Sequence, residues 1–203
     1  MNYSDIINAT RFYCESLIKQ SICKHLPFHN WKHTLDVVSN SNLIGNTENI
    51  NERDFTVLRI AAYFHDVGHL LGATMHEEIS VEYAREFLEL QGVSADVIID
   101  VCLTIKATSL KVEPQTRIQK IIRDADLAHL GQISFKEKNE TLRKEWRLLN
   151  ALDLTDLEWI LLNINFLERH TYFTQTAKNL FSKQKKINLD DLHQLKNEIK
   201  AKL

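Results

Sequence analysis

The stretch from Phe55 to His69 limits what this chain can fold into more than any other. Phe55, Leu58, Ala61, Ala62 and His65 recur at helical spacing, so His65 turns inward with the apolar face. Asp66 follows at once, and then Val67, Gly68 and His69. An ionisable pair at the inner end of a hydrophobic segment is costly unless something pairs with it. A divalent cation is one such partner, and the question is whether the rest of the chain supplies further ligands.

The surroundings read as helix. Five glycines and two prolines are few for 203 residues, and no Asn-Gly or Asp-Gly hairpin signal occurs. The expected fold class is all-α. A first helix runs from Ser4 to about Leu26, with Ile7, Cys14, Leu17 and Ile18 inward, and Pro27 ends it. The second begins near Asn30 and fades into a polar Gly45–Asn51 loop. The third starts at Asn51 or Asp54 and ends at the His-Asp pair, where Gly68 and Gly72 break it. Thr74 with Glu77 forms a capping box for the fourth, which Gly92 stops. Ser94 caps a fifth, which runs to about Thr108, and a short apolar helix leads through Ile118, Ile121 and Ile122 to Asp126. Further helices open at Ser134 with Glu137 and at Thr155 with Glu158. An amphipathic stretch from Thr171 restarts at Asn188. Residues 1–132 form a helical core and 133–203 a helical extension packed on it.

Function classes are narrowed by what is missing. The formal charge of −2 gives no pull toward nucleic acid or anionic membrane, and Lys183, Lys185 and Lys186 read as a solvated face. No apolar run approaches the roughly 18 residues that span a bilayer. Three scattered cysteines, Cys14, Cys23 and Cys102, form no zinc-type pair. These features fit a cytoplasmic protein with neither a membrane nor a nucleic acid as partner.

Upstream of the central pair stands Phe28-His29-Asn30-Trp31-Lys32-His33, and downstream Asp124-Ala125-Asp126 ends an apolar helix. His29 and His33 share a face if the helix has begun by residue 29. Three segments thus each bring histidine or carboxylate to a helix end or face. Two imidazoles and two carboxylates with open positions suit one divalent ion such as Mn, Mg, Fe, Co or Ni better than a closed structural zinc site.

This ordered set of His33, His65-Asp66 and a late Ala-Asp resembles the HD superfamily of metal-dependent phosphohydrolases, over about His29 to Gly131. The upstream segment is similar to the Tyr-His-Asn-x-x-His motif of cyclic-nucleotide phosphodiesterases, which have a related helical core. The resemblance implies an HD-type helical bundle with His33, His65, Asp66 and Asp126 as metal ligands. It implies that His29 protonates the leaving oxygen, and that His69 orients water or contacts phosphate. His76 fits one histidine of the second metal that many members hold. Thr108 stands where the other would be, which favours one metal and speaks against an oxygenase. Lys32, Lys106 and Arg123 are phosphate contacts by placement alone.

The expected function is therefore metal-dependent hydrolysis of a phosphate ester of a small molecule, a nucleotide above all. A cyclic-nucleotide phosphodiesterase is the runner-up. A non-catalytic HD module that senses a nucleotide or scaffolds a partner is the competing class, and extensions like that after Ser134 cap a site or form a homodimer.

Overall fold

A computed structural model of the protein describes residues 3–71, 75–149 and 153–201. Among these residues there are nine α-helices, three short 3-10 turns and no strand, so the fold is all-α. Chain contacts divide it into two compact units, Met1–Asp126 and Leu127–Leu203, so the break falls six residues before the boundary read from the sequence.

The first unit holds α1 (Tyr3–Gln20), α2 (Trp31–Thr47), α3 (Glu52–Phe64), α4 (His76–Leu90), α5 (Ala95–Lys106) and α6 (Arg117–Asp126). The spine is α3. Eight of its thirteen residues are buried, from Thr56 through Phe64, and a helix apolar on nearly every side belongs inside a bundle. It packs against α1, α2, α4, α5 and α6. Its start is set by Asn51, whose side chain accepts from the Asp54 amide at 2.9 Å.

Several boundaries differ from the sequence reading. The first helix stops at Gln20 instead of reaching Leu26. Ser21 donates its hydroxyl to the Ile18 carbonyl at 2.9 Å and accepts from the Cys23 amide at 3.2 Å, which turns the chain into a 3-10 segment, Ile22–His25. The inward face of α1 is carried by Ile6, Thr10, Cys14 and Ile18, with Ile7 and Leu17 only partly covered. The second helix continues through Gly45 to Thr47, because Gly45 is a packing glycine: a Cβ there would lie 3.0 Å from the Phe55 ring. The capping box assigned to Thr74 and Glu77, and the break at Gly72, lie outside the described residues.

The second unit holds a 3-10 turn (Leu127–Gly131), α7 (Phe135–Leu148), α8 (Asp156–Arg169) and α9 (Gln175–Lys200). Its core is Leu130, Phe135, Ile160, Ile164, Leu167 and Leu192. The Thr155–Glu158 capping box forms, whereas Ser134 makes no side-chain cap bond. No restart occurs at Asn188. Its amide donates to the Leu130 and Gln132 carbonyls at 2.8 and 3.0 Å, so it ties α9 to the turn while the helix runs on.

Candidate metal centre

Five elements of the first unit meet at the C-terminal end of α3. His65 is the C-cap of that helix and is fully buried. Its Nδ1 lies 2.9 Å from the Ala62 carbonyl. A carbonyl only accepts, so Nδ1 carries a proton and Nε2 is the nitrogen turned toward the cluster. That Nε2 is 3.0 Å from Asp66 Oδ2, 3.4 Å from His33 Nε2 and 3.8 Å from Asp126 Oδ1.

His33 arrives from the first turn of α2. Asn30 caps that helix by accepting from the Lys32 and His33 amides at 2.9 and 3.4 Å, and its own amide donates back to the Leu26 and Pro27 carbonyls. This clamp fixes where α2 begins, and hence where His33 Nε2 sits: 3.2 Å from both Asp66 Oδ2 and Asp126 Oδ1. Asp126 ends α6, and Asn40 of α2 holds that end by donating to the Ala125 carbonyl at 3.3 Å.

Electrostatics bind the four together. Burial opposes a charge on His33, but hydrogen bonds to Asp126 and Asp66 and their negative charges overcome it and push its pKa up to about 10. His65 is also raised, by Asp66 and Asp126 against the cost of burial. The two carboxyls are held low despite burial, Asp66 by His65 and His33, Asp126 by His33 and His65. Four potential ligand atoms thus converge.

The donor set fits a cation. Ligands about 2.1 Å from an ion lie about 3.0 Å apart at right angles and about 3.4 Å apart in a tetrahedron. The observed separations of 3.0 to 3.8 Å span these values. His33, His65 and Asp66 form a group that could hold a metal, and so do His29, Asp66 and His69.

Asp66 has a second side. Its Oδ1 is 3.8 Å from both His69 Nε2 and His76 Nε2. The rings of His29, His69 and His76 stack in a column, with centroids 4.2 and 4.1 Å apart and planes within about 21°. His29 comes before the helix and not on it, since Asn30 is the cap. The shared-face premise for His29 and His33 therefore fails, yet their rings still meet edge-on at 5.7 Å, with Phe28 packed 4.9 Å from each.

The turn itself is held by a residue the sequence reading missed. Fully buried Ser80 of α4 accepts from the Gly68 amide and donates to the His65 carbonyl, both at 2.8 Å. Gly68 must be glycine, because a Cβ would lie 2.0 Å from the His76 carbonyl oxygen. A serine one helical turn after His76 was the only trace of this in the sequence.

The three phosphate-contact candidates part ways. Lys32 and Lys106 are exposed. Arg123 is buried and turned elsewhere: its Nε donates to the Ala107 carbonyl at 2.7 Å, and one terminal nitrogen to the Ser109 and Val112 carbonyls. It closes the C-terminal end of α5, where Thr108 also bonds the Ile105 carbonyl at 2.8 Å. Burial lowers its pKa.

The family model of the HD domain matches residues 30–130, a span that contains His33, His65, Asp66 and Asp126. No curated protein sequence matches the chain. Two solved structures share the fold along the whole chain. One is the Lin1889 protein of Listeria innocua, 20% identical, covering 98% of each chain with a TM-score of 0.70. The other is a predicted HD superfamily hydrolase from an uncultured Thermotogales bacterium, 19% identical, covering 100% of this chain and 99% of that one with a TM-score of 0.56. With the ordered His, His-Asp and Asp now joined in one cluster, the chain belongs to the HD domain family.

Proposed function

We propose that this protein is a metal-dependent phosphohydrolase that cleaves a phosphate ester of a small molecule, with a nucleotide as the substrate class the family resemblance favours. The observation that carries the reading is the meeting of four potential ligand atoms at the end of α3: His33 Nε2 and His65 Nε2 each lie 3.0 to 3.8 Å from Asp66 Oδ2 and Asp126 Oδ1, and 3.4 Å from each other. These four hold one divalent ion, Mn, Mg, Fe, Co or Ni. When bound, such an ion stabilises negative charge on the phosphoryl oxygens and lowers the pKa of a water toward neutrality.

The chain's own residues do the rest. His65 is fixed in the ligand tautomer by the Ala62 carbonyl. Water attacks phosphorus in line and loses a proton to solvent, the P–O bond to the leaving group breaks as the new one forms, and His29 gives its proton to the departing oxygen. Its partial exposure and its place on the face of His69 suit a group that meets substrate. His69, buried beside Asp66 Oδ1, orients the water or a phosphoryl oxygen. Lys32 and Lys106 are exposed, and Arg123 shapes the end of α5 instead. The three cysteines are buried and in no disulfide, which supports a reducing, cytoplasmic setting. Among the described residues no helix is long and apolar enough to cross a membrane.

The test is a release screen with nucleoside mono-, di- and triphosphates, cyclic nucleotides and an aryl phosphodiester, run with each candidate metal on wild type and Asp66→Ala. Turnover by the wild type that disappears in the variant supports the reading and names the substrate class. Metal bound by the wild type with no turnover on the whole panel replaces it with a nucleotide-sensing module.

A further inference from the structure

The last helix carries an outward face that the second unit's core does not use. Leu180, Ile187 and Leu195 are 46, 43 and 39% exposed. At 100° per residue, Leu180, Lys183, Ile187, Asp191 and Gln194 fall on one side of α9, with Leu195 at its edge. Two cavities open beside this face. One, of about 1050 Å³, is lined by Gly131, Leu180 and Phe181, the other, of about 460 Å³, by Phe135, Trp159 and Leu195. Ile133, 88% exposed, lines both.

The charges along this helix are ordered. From Gln175 to Ile187 it bears Lys178, Lys183, Lys185 and Lys186 and no acid. From Asn188 to Glu198 it bears Asp190, Asp191 and Glu198 against Lys196 alone. Lys185 is engaged with the His170 carbonyl, while Lys183 and Asp191 are both exposed on the apolar face.

We propose that this face is where a second copy of the chain docks, α9 against α9 in antiparallel order about a two-fold axis at Ile187. Antiparallel pairing sets Lys183 opposite the partner's Asp191, since each lies four residues from the axis. Leu180 then meets the partner's Gln194 and Leu195, and Ile187 meets its own copy. Each cavity receives apolar side chains that would otherwise stay in water, Leu195 entering the one beside Leu180 and the reverse. A parallel arrangement would set the lysine-rich halves against each other, which costs affinity. Self-complementarity in both charge order and apolar spacing is what an isologous interface requires, and it singles out a second copy over an unrelated partner.

The experiment is the solution mass of the full chain by sedimentation equilibrium or light scattering. The dimer has twice the 23.6 kDa chain mass. Ile187→Glu, at an exposed position, is expected to give a monomer with an unchanged helical circular dichroism spectrum. Lys183→Asp and Asp191→Lys singly are expected to raise the dimer Kd about tenfold, and together to restore it to within about threefold of wild type. A wild type that stays monomeric at about 100 µM overturns the proposal. So does a dimer that Ile187→Glu leaves intact. Failure of the double reversal to restore dimerisation overturns the antiparallel register.

Discussion

Gly68 gives its amide proton to Ser80 Oγ at 2.8 Å, and the same hydroxyl donates to the His65 carbonyl at 2.8 Å. One buried side chain thus spans the turn that carries Asp66. Ser80→Ala is expected to cost about 1–3 kcal/mol by leaving a buried amide and carbonyl without a partner. Gly68→Ala is expected to cost at least as much, because its Cβ would meet the His76 carbonyl oxygen at 2.0 Å. Urea unfolding of both variants measures this. Losses under about 0.5 kcal/mol in both would show that the turn does not depend on the clasp.

The His33 shift has a definite sign. Its folded pKa of about 10 lies above the ordinary value of 6.5, so metal-free protein has the full stabilisation below about pH 6.5 and loses it as pH rises through about 10. Asp66 and Asp126 are shifted down, so their contribution is present above the ordinary carboxylate range and is lost as pH falls. Metal must displace the His33 proton. Affinity for Mn is therefore expected to rise about tenfold per pH unit between pH 7 and 9 while the metal-free melting temperature falls. Calorimetric titration and thermal melts at several pH values check the two trends. A metal-free melt that does not change from pH 7 to 10 would contradict the assignment.

Replacing a ligand separates metal from fold. His65→Gln keeps a polar side chain of similar reach but lacks the fixed imidazole lone pair. It is expected to lose about 100-fold or more in Mn affinity, read by titration of chelator-treated protein. Wild-type protein loaded with metal and freed of excess is expected to retain one ion per chain by elemental analysis. Two retained ions would assign the other face of Asp66, with His69 and His76, a metal of its own.

His29→Asn addresses the proton donor. On the proposed reading it lowers kcat/KM by about 10²–10⁴ and leaves metal affinity unchanged, with the larger effect on substrates whose leaving oxygen needs a proton. A variant that retains wild-type turnover removes His29 from the mechanism.

Arg123→Gln tests a structural role. Its guanidinium serves the Ala107, Ser109 and Val112 carbonyls, and the loss is expected to be about 1.5–3 kcal/mol of stability. Denaturant unfolding beside the KM of the substrate found in the release screen tells the roles apart. An unchanged stability with a raised KM would return Arg123 to the phosphate.

Much of the cluster was legible because ionisable side chains stand out against apolar helices. His65 and Asp66 close the α3 stripe, and Asp126 closes α6, so their positions follow from periodicity and order. What was hidden depends on three-dimensional closeness. Ser80 looks like any helix serine until α4 is laid beside the His-Asp turn. Arg123 looks like a free cation until the end of α5 comes within reach of it. Boundaries failed where a small polar residue chose between roles. Ser21 ends a helix by bonding the backbone, and Asn188, a good cap by type, ties across the second unit instead. Gly45 looks like a loop signal, but the Phe55 ring needs the space.

The hydrogen bond from His65 to Ala62 has a further meaning. The last carbonyls of any helix lack an amide further along the chain to receive. The end of α3 spends one of these leftover carbonyls on choosing which nitrogen of His65 faces the cluster. Helix length and ligand chemistry are therefore one variable here. Lengthening α3 by a single turn would give the Ala62 carbonyl to a backbone amide, release the imidazole proton to either nitrogen, and detune the cluster without altering any of its four residues.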